Sequence, residues 1–447
     1  MMPGISFPSH AEVSGIQRLN STSPAHEFEE ATYRSLRWRL IPFLMLCYVI
    51  AYLDRINVGF AKLQMSTNLG FTEAAYGFGA GIFFLGYVLF PVPSNLFLVR
   101  VGARRWIGCL MVVWGIISGS TALVTTAPQF FTLRFLLGVA ESGFYPAIIL
   151  YLTHWFPNHR RAHAVSLFQS AVALAGIVGG PSSGWILDRL HDYGHLWGWQ
   201  WLFLIEALPA VLAGLAALYF LDNRICEARW LTTDQKNFLV RQLERDSGAR
   251  IAGSVRAVFA DLRVWGLGVV LFGIAMAIYA ISFWMPTLLR ESGVSSNSRI
   301  GWMSAVPNLI AAVGMVLVAR SSDRRRERRW HVVVAMLLGA LGLLGSVLLP
   351  HRPMLVLASL SLAALGVMSA LPLQWSFLTA FLGGSSAATA IGLVSSVGNL
   401  GGLVSPAMIG WLKGQTGTLH AGMYAIAASV VISALIALSY PARLVNR

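Results

Sequence analysis

Four charged residues stand where the surrounding chain is apolar. Leu40 to Leu53 carries no charge and runs directly into the adjacent Asp54 and Arg55 of "VIAYLDRINVGF" (Val49 to Phe60), after which apolar residues resume. As a helix rising 1.5 Å per residue, that uncharged run covers only about 21 Å. A bilayer core is about 30 Å thick, so a first crossing helix must carry both charges inside it. Consecutive helical residues diverge by about 100°, so the two need not share a partner. A second segment, "FFTLRFLLGVAESGFYPAIILYL", holds Arg134 and Glu141 seven residues apart, hence on one helix face. Each such charge costs roughly 2.5–3.5 kcal/mol on insertion scales, so four cost on the order of 10–14 kcal/mol if unpaired. Two salt bridges that only hold helices together are one reading. A site for an anion and a proton is the other, and it is the one favoured here. Arginine stays charged and grips a carboxylate through two parallel hydrogen bonds. A carboxylic acid in a low-dielectric cavity holds its proton more tightly, and a neighbouring arginine loosens it. A third acid, Glu206 in "WLFLIEALPA", lies nearer the outward end of its span, where water reaches it, and reads as structural.

The rest of the chain must place these groups in a membrane. Of 447 residues, 56% are hydrophobic and 12% charged, and mean hydropathy is +0.65. Soluble chains carry about 25% charged residues, so a polytopic membrane protein is expected. Twelve apolar runs of spanning length are centred near Tyr48, Leu85, Val113, Val139, Ala175, Ala210, Ile274, Ala311, Leu341, Leu365, Val397 and Val430. The expected fold class is all-α, twelve transmembrane helices in two six-helix bundles.

Sorting the basic residues by loop orients the chain. Lys62, Arg189, Arg290, Arg299, Arg352 and Lys413 fall in outward loops, and Arg55 and Arg134 fall inside spans. All remaining Lys and Arg lie on the side of the two termini, which places both termini in the cytoplasm. The net charge of +14 is therefore a matter of topology, and no nucleic-acid partner is needed. Residues 1–35 read as a disordered cytoplasmic tail, without the order of a cleaved signal peptide. Residues 36–221 form a first bundle, 222–256 a cytoplasmic linker and 257–447 a second bundle with a short tail. Within the linker, Thr233 is placed to cap a short amphipathic helix. Cys47, Cys109 and Cys226 suggest no pairing.

A weak repeat supports two halves. "GARRW" (Gly102 to Trp106) and "ERRWH" (Glu327 to His331) share a triplet at an offset of 224 residues. Transporters with such repeats place their sites between the halves. The same offset puts Ile278, Tyr279, Ala358 and Leu365 opposite Asp54, Arg55, Arg134 and Glu141. Ionic function is thus expected in the first half, with polar and aromatic walls from Tyr279, Trp284, Trp375, Ser376 and Asn399 of the second.

Beyond these patterns, "YLDRINVGFA" (Tyr52 to Ala61), "RFLLGVAESGFYPA" (Arg134 to Ala147), "GWQWLFLIEALPA" (Gly198 to Ala210) and "SSVGNLGGLVSP" (Ser395 to Pro406) resemble signatures of the major facilitator superfamily, anion:cation symporter branch. The resemblance runs from about Ser35 to Leu438. It implies proton-coupled import of a small organic carboxylate by alternating access, with no cofactor beyond the coupling proton. It further implies Asp54 and Glu141 as the protonatable pair, and Arg55 on the substrate carboxylate. Arg134 would support Glu141 or reach the anion, while Tyr52, Tyr87 and Asn399 would line the pocket. A bacterial inner membrane and a functional monomer are expected. Two departures bear on this: Val99 stands where the branch carries an acid, and Gln374 and Leu378 alter the tenth helix. "GIVGGPSSG" (Gly176 to Gly184) partly resembles an antiporter element, which keeps proton-driven efflux as the alternative. A non-transporting sensor is a weaker one. No nucleophile–base pair or metal-ligand cluster suggests an enzyme.

Overall fold

The computed structural model describes residues 24–247, 255–349, 351–381 and 384–446. Eighteen α-helices follow one another among these residues. The first half holds α1 (Pro24–Leu69), α2 (Glu73–Leu89), α3 (Pro91–Val101), α4 (Ala103–Ser120), α5 (Ala127–Glu141), α6 (Phe144–Thr153), α7 (Asn158–Gln169), α8 (Ala171–Arg189) and α9 (Gly198–Phe220). Linker helices α10 (Thr233–Ser247) and α11 (Val255–Ala260) follow. The second half holds α12 (Leu262–Glu291), α13 (Asn297–Arg325), α14 (Arg329–Leu348), α15 (Pro353–Phe381), α16 (Gly384–Thr416), α17 (His420–Ser439) and the short α18 (Ala442–Val445). Eleven of the spans are long and apolar by themselves. The twelfth is α2, which stops at Leu89 because Pro91 and Pro93 lack the N–H groups that would continue it, and α3 carries the chain on.

The amino-terminal segment is more ordered than its polarity suggests. Helix α1 already begins at Pro24, so residues 24–35, expected as tail, are its first turns. Arg160 of α7 pairs with Glu29 and Glu30, and Phe238 of α10 packs edge-on against Phe28 and Tyr33, each at 5.9 Å. Residues 1–23 of the expected tail lie outside the described residues. The linker helix is capped by Thr232 rather than Thr233: its hydroxyl accepts from the Gln235 amide at 3.3 Å, and Gln235 answers to the Thr232 amide at 3.1 Å.

The repeat in the sequence has a structural counterpart. In the first half the Arg104 amide donates to Asn223 Oδ1 at 3.0 Å, and in the second the Arg328 amide donates to Asn446 Oδ1 at 2.9 Å. Each arginine-rich turn is thus fastened to an asparagine that follows the last long helix of its own half.

The two halves meet along α1 with α12, α2 with α16, and α8 with α13. At the last of these, a methyl group on Gly301 would collide with the Gly180 carbonyl, so glycine permits the backbones to touch. Ion pairs seal the face opposite the termini, here called the far face. Glu73 of α2 receives Lys62 of α1 at 2.6 Å and Lys413 of α16 at 2.8 Å, and Lys413 also reaches Glu291 of α12 at 2.7 Å. Lys62 lies over the Trp284 ring at 4.0 Å. Both lysines, expected in outward loops, are instead in helices, where they are buried. Asp188 at the end of α8 accepts from the Ser298 amide at 2.7 Å and the Asn297 side chain at 2.6 Å, placing an anion at the start of α13, where the helix dipole favours it.

Replacing Lys413 by Met removes two of these pairs, one of them, with Glu73, joining the halves; that pair is worth up to about 1 kcal/mol with its acid partly exposed, or up to about a five-fold shift toward an open far face. A cysteine at position 287, with Cys109 and Cys226 replaced, is expected to react several-fold faster with a membrane-impermeant maleimide applied to that face. An unchanged rate would contradict the closure role.

Candidate functional site

Asp54 and Arg55 sit midway along α1 and diverge as helical neighbours must. Arg55 turns toward α5, where its Nη2 meets Glu141 Oε2 at 2.8 Å; their side chains are 6% and 1% exposed. Asp54 turns toward α4 and accepts from the Ser118 hydroxyl at 2.8 Å. Its second oxygen has no hydrogen-bond partner among the described residues, although Trp114 comes near. Glu141 closes α5, and the chain re-enters helix at Phe144.

Aromatic faces surround the arginines. The Arg55 guanidinium lies 4.7 Å from the Tyr87 ring centroid, 5.1 Å from Phe83 and 5.4 Å from Tyr52. Arg134 shares Phe83, at 5.0 Å. Arg134 is 1% exposed, and none of its three guanidinium nitrogens finds a hydrogen-bond partner among the described residues. Arg134 and Glu141 share a helix face, yet Glu141 takes its hydrogen bond from Arg55, which leaves Arg134 as the cation with open donors.

The second half contributes Tyr279 of α12, whose ring packs at a tilt against Phe84 at 4.3 Å and which approaches Arg55. By the repeat, Tyr279 is the counterpart of Arg55, so equivalent positions of the two halves face each other. Trp375 on α15 and Asn399 on α16 are half-buried in the second half. The Val99 side chain lies outside the described ones. Gln374 is buried and donates to the Leu267 carbonyl at 3.0 Å, so it ties α15 to α12. A gap of about 40 Å³ lies between the halves, lined by Tyr52, Ile56, Ile281, Ser282, Ser304 and Asn308 among others. That is room for a few waters, each needing roughly 10–15 Å³ of such space.

Glu206 is also placed differently. It is 6% exposed rather than open to water, and its Oε1 accepts from Ser183 of α8 at 2.9 Å. Ser118, Ser183, Phe83, Asn308 and Asn57 are the polar and aromatic neighbours the sequence reading missed. Only Asn57 carried a signal, as a third polar side chain one turn beyond Asp54 in "DRIN".

With this geometry in place, comparison with known proteins is informative. A family profile described as the Major Facilitator Superfamily matches residues 44–406 and 296–443. The chain belongs to that superfamily. It is 45% identical over 420 residues to the Pseudomonas putida "Putative metabolite transport protein NicT", covering 94% of this chain and 96% of that one. It is 45% identical over 414 residues to an Agrobacterium vitis "Putative tartrate transporter", covering 92% and 95%. A "Quinolone resistance transporter" of Acinetobacter baumannii is 39% identical over 402 residues, covering 89% and 92%. Among solved structures, a bacterial homologue of the human lysosomal transporter Spinster, inward-facing and occupied, superposes with a TM-score of 0.72 at 17% identity, covering 91% and 96%. The protein is a multi-pass membrane transporter of a small molecule, and not an enzyme.

Removing one partner of a buried ion pair costs about 3–5 kcal/mol, because the other charge is left uncompensated. Arg55→Ala is therefore expected to lower the thermal unfolding midpoint of the purified protein sharply, and the Arg55→Ala, Glu141→Gln double variant to recover much of the loss. Additive effects of the two changes would show that the pair is not a unit.

Proposed function

We propose that this transporter imports a small organic anion together with protons by alternating access. The substrate class is a carboxylate such as a dicarboxylic, aromatic or sugar acid. The membrane is a bacterial inner membrane with both termini cytoplasmic, so the closed far face is periplasmic. The observation that supports this most is Arg134, a buried guanidinium with open donors beside a second arginine already held by an acid. Arginine does not deprotonate inside proteins, and a buried one without a hydrogen-bonded partner is costly. An incoming carboxylate supplies that partner.

The same arrangement links anion to proton. While Glu141 is ionised it holds Arg55 at 2.8 Å. A proton on Glu141 weakens that pair and frees Arg55 to join Arg134 on the anion. Asp54, one residue away and bonded to Ser118, is the second acid of the pair that carries protons. In the outward-facing state proton and anion load together and their charges offset. The halves then rock about the site and release both to the cytoplasm. Tyr52 and Tyr87, at the edge of Arg55, and Tyr279 across the interface form the wall against which the substrate lies, with Trp375 and Asn399 completing it on the second half.

The second reading is proton-driven efflux, favoured by the quinolone-resistance relative. Two arginines at the centre argue against a cationic cargo.

Proteoliposomes with a trapped pH-sensitive dye separate the two. Pooled small carboxylates added outside should acidify the lumen with the wild type and not with Glu141→Gln. Arg134→Gln should raise the half-saturating concentration by about 10–100-fold, the equivalent of one hydrogen bond to a charged group at roughly 1.5–3 kcal/mol. No acidification from any pool by folded protein would refute symport. Lumenal proton loss on adding lipophilic drugs would favour efflux.

A further inference from the structure

Glu206 is a buried acid that the proposed cycle leaves unused. Its Oε1 accepts from Ser183, and its Oε2 has no hydrogen-bond partner among the described residues. Asn57 of α1 is fully buried, approaches Glu206, and neither atom of its amide closes a hydrogen bond there. Asn57 lies one helical turn beyond Asp54 toward the far face, and Asp54 Oδ2 is likewise open. Ser118, Asp54, Asn57, Glu206 and Ser183 thus form one polar string through the interior of the first half. The string is not part of the aromatic cage around Arg55.

The charges that face Glu206 decide what it can be. From α1 it meets Asp54, another acid, since Arg55 is drawn to Glu141 and Lys62 to Glu73. From α8 the nearest charged groups are Asp188 and Arg189 at the far-face end, and Asp188 is engaged with α13. From α4 they are Arg104 and Arg105, at the opposite end of the bundle. Helix α9 itself carries no other charged residue. A carboxylate here would have no counter-charge, and an unpaired charge inside the membrane is costly. The neutral acid has none of that cost, with Oε1 accepting and an O–H on Oε2 free to donate.

Depth gives the direction. Glu206 is eight residues from the start of α9 and Asp54 fifteen from the end of α1. At 1.5 Å per residue they lie about 12 Å and about 22 Å from the far face. We infer that Glu206 is a proton-loading site, which takes a proton from the far face and passes it inward to Asp54. The O–H bond on Glu206 Oε2 breaks, water admitted beside Asn57 when that face opens carries the proton, and an O–H bond forms on Asp54 Oδ2. Glu206 is then reprotonated from the far side. This role rests on the proton-coupled reading above.

Two measurements test it on the full chain in lipid. Infrared pH titration, which needs no substrate, should show a protonated carboxyl at neutral pH in the wild type that Glu206→Gln removes; identical carboxyl absorption would overturn the assignment. Radiolabelled tartrate, or the acid giving the largest acidification if tartrate is not carried, then separates net uptake from exchange. Glu206→Gln should keep counterflow within about two-fold of wild type, because exchange needs no net proton movement, and should slow uptake driven by a pH gradient at least ten-fold. Ser183→Ala, which removes only the hydroxyl donor, should show the same split more weakly. Equal losses of counterflow and net uptake, or unimpaired net uptake, would overturn the loading role. A wild type that moves no proton with any acid would refute symport itself, and the infrared band would then decide the proton site alone.

Discussion

Everything in the first half is arranged around one buried contact, the ion pair of Arg55 with Glu141. Desolvating two such charges costs several kcal/mol each, and a single hydrogen bond at 2.8 Å offsets that only if the surroundings help. They do so with aromatic faces rather than with counter-ions. Phe83, Tyr87 and Tyr52 turn their rings to Arg55, and the same Phe83 serves Arg134. That economy of partners has a functional side. A pair balanced closely between holding and letting go is one that a proton or an incoming carboxylate can switch, whereas a fully satisfied pair would be inert.

Among the described residues the second half supplies no charge at this depth, and it has a different task. Tyr279 and its neighbours form a neutral wall, and the far ends of α12, α13 and α16 carry the groups that close the molecule on one side. Division of labour follows from the repeat. Both halves keep the arginine-rich turn fastened by a terminal asparagine, which serves the fold in each copy. Only one keeps the ionic cluster, because a second would place more charge in the membrane without a matching partner.

The fold was largely legible from the sequence, because twelve spanning runs, the bias in basic residues and the repeated triplet all report the same physical constraint of a bilayer. The site was legible in part. Asp54, Arg55, Arg134 and Glu141 stand out since charge in an apolar run is costly wherever it occurs. Which arginine meets Glu141 was not readable, for it depends on how α1 and α5 rotate about their axes, and the face shared by Arg134 and Glu141 left both arginines open. Lys62 and Lys413 looked like loop residues because hydropathy does not distinguish a charge in water from one paired at a buried helix end. Glu206 looked accessible for a related reason: its position along α9 gave depth but not the side from which Ser183 and Asn57 cover it.

The account turns on the claim that binding an anion and binding a proton are one thermodynamic event. Calorimetry of a bound carboxylate, repeated in buffers of different ionisation enthalpy, counts the protons taken up with each anion. Roughly one proton per anion in the wild type near neutral pH, falling toward zero in Glu141→Gln, is the expected result. Anion binding without proton uptake in the wild type would contradict the coupling, and would leave Arg55, Arg134 and Glu141 as an anion site alone.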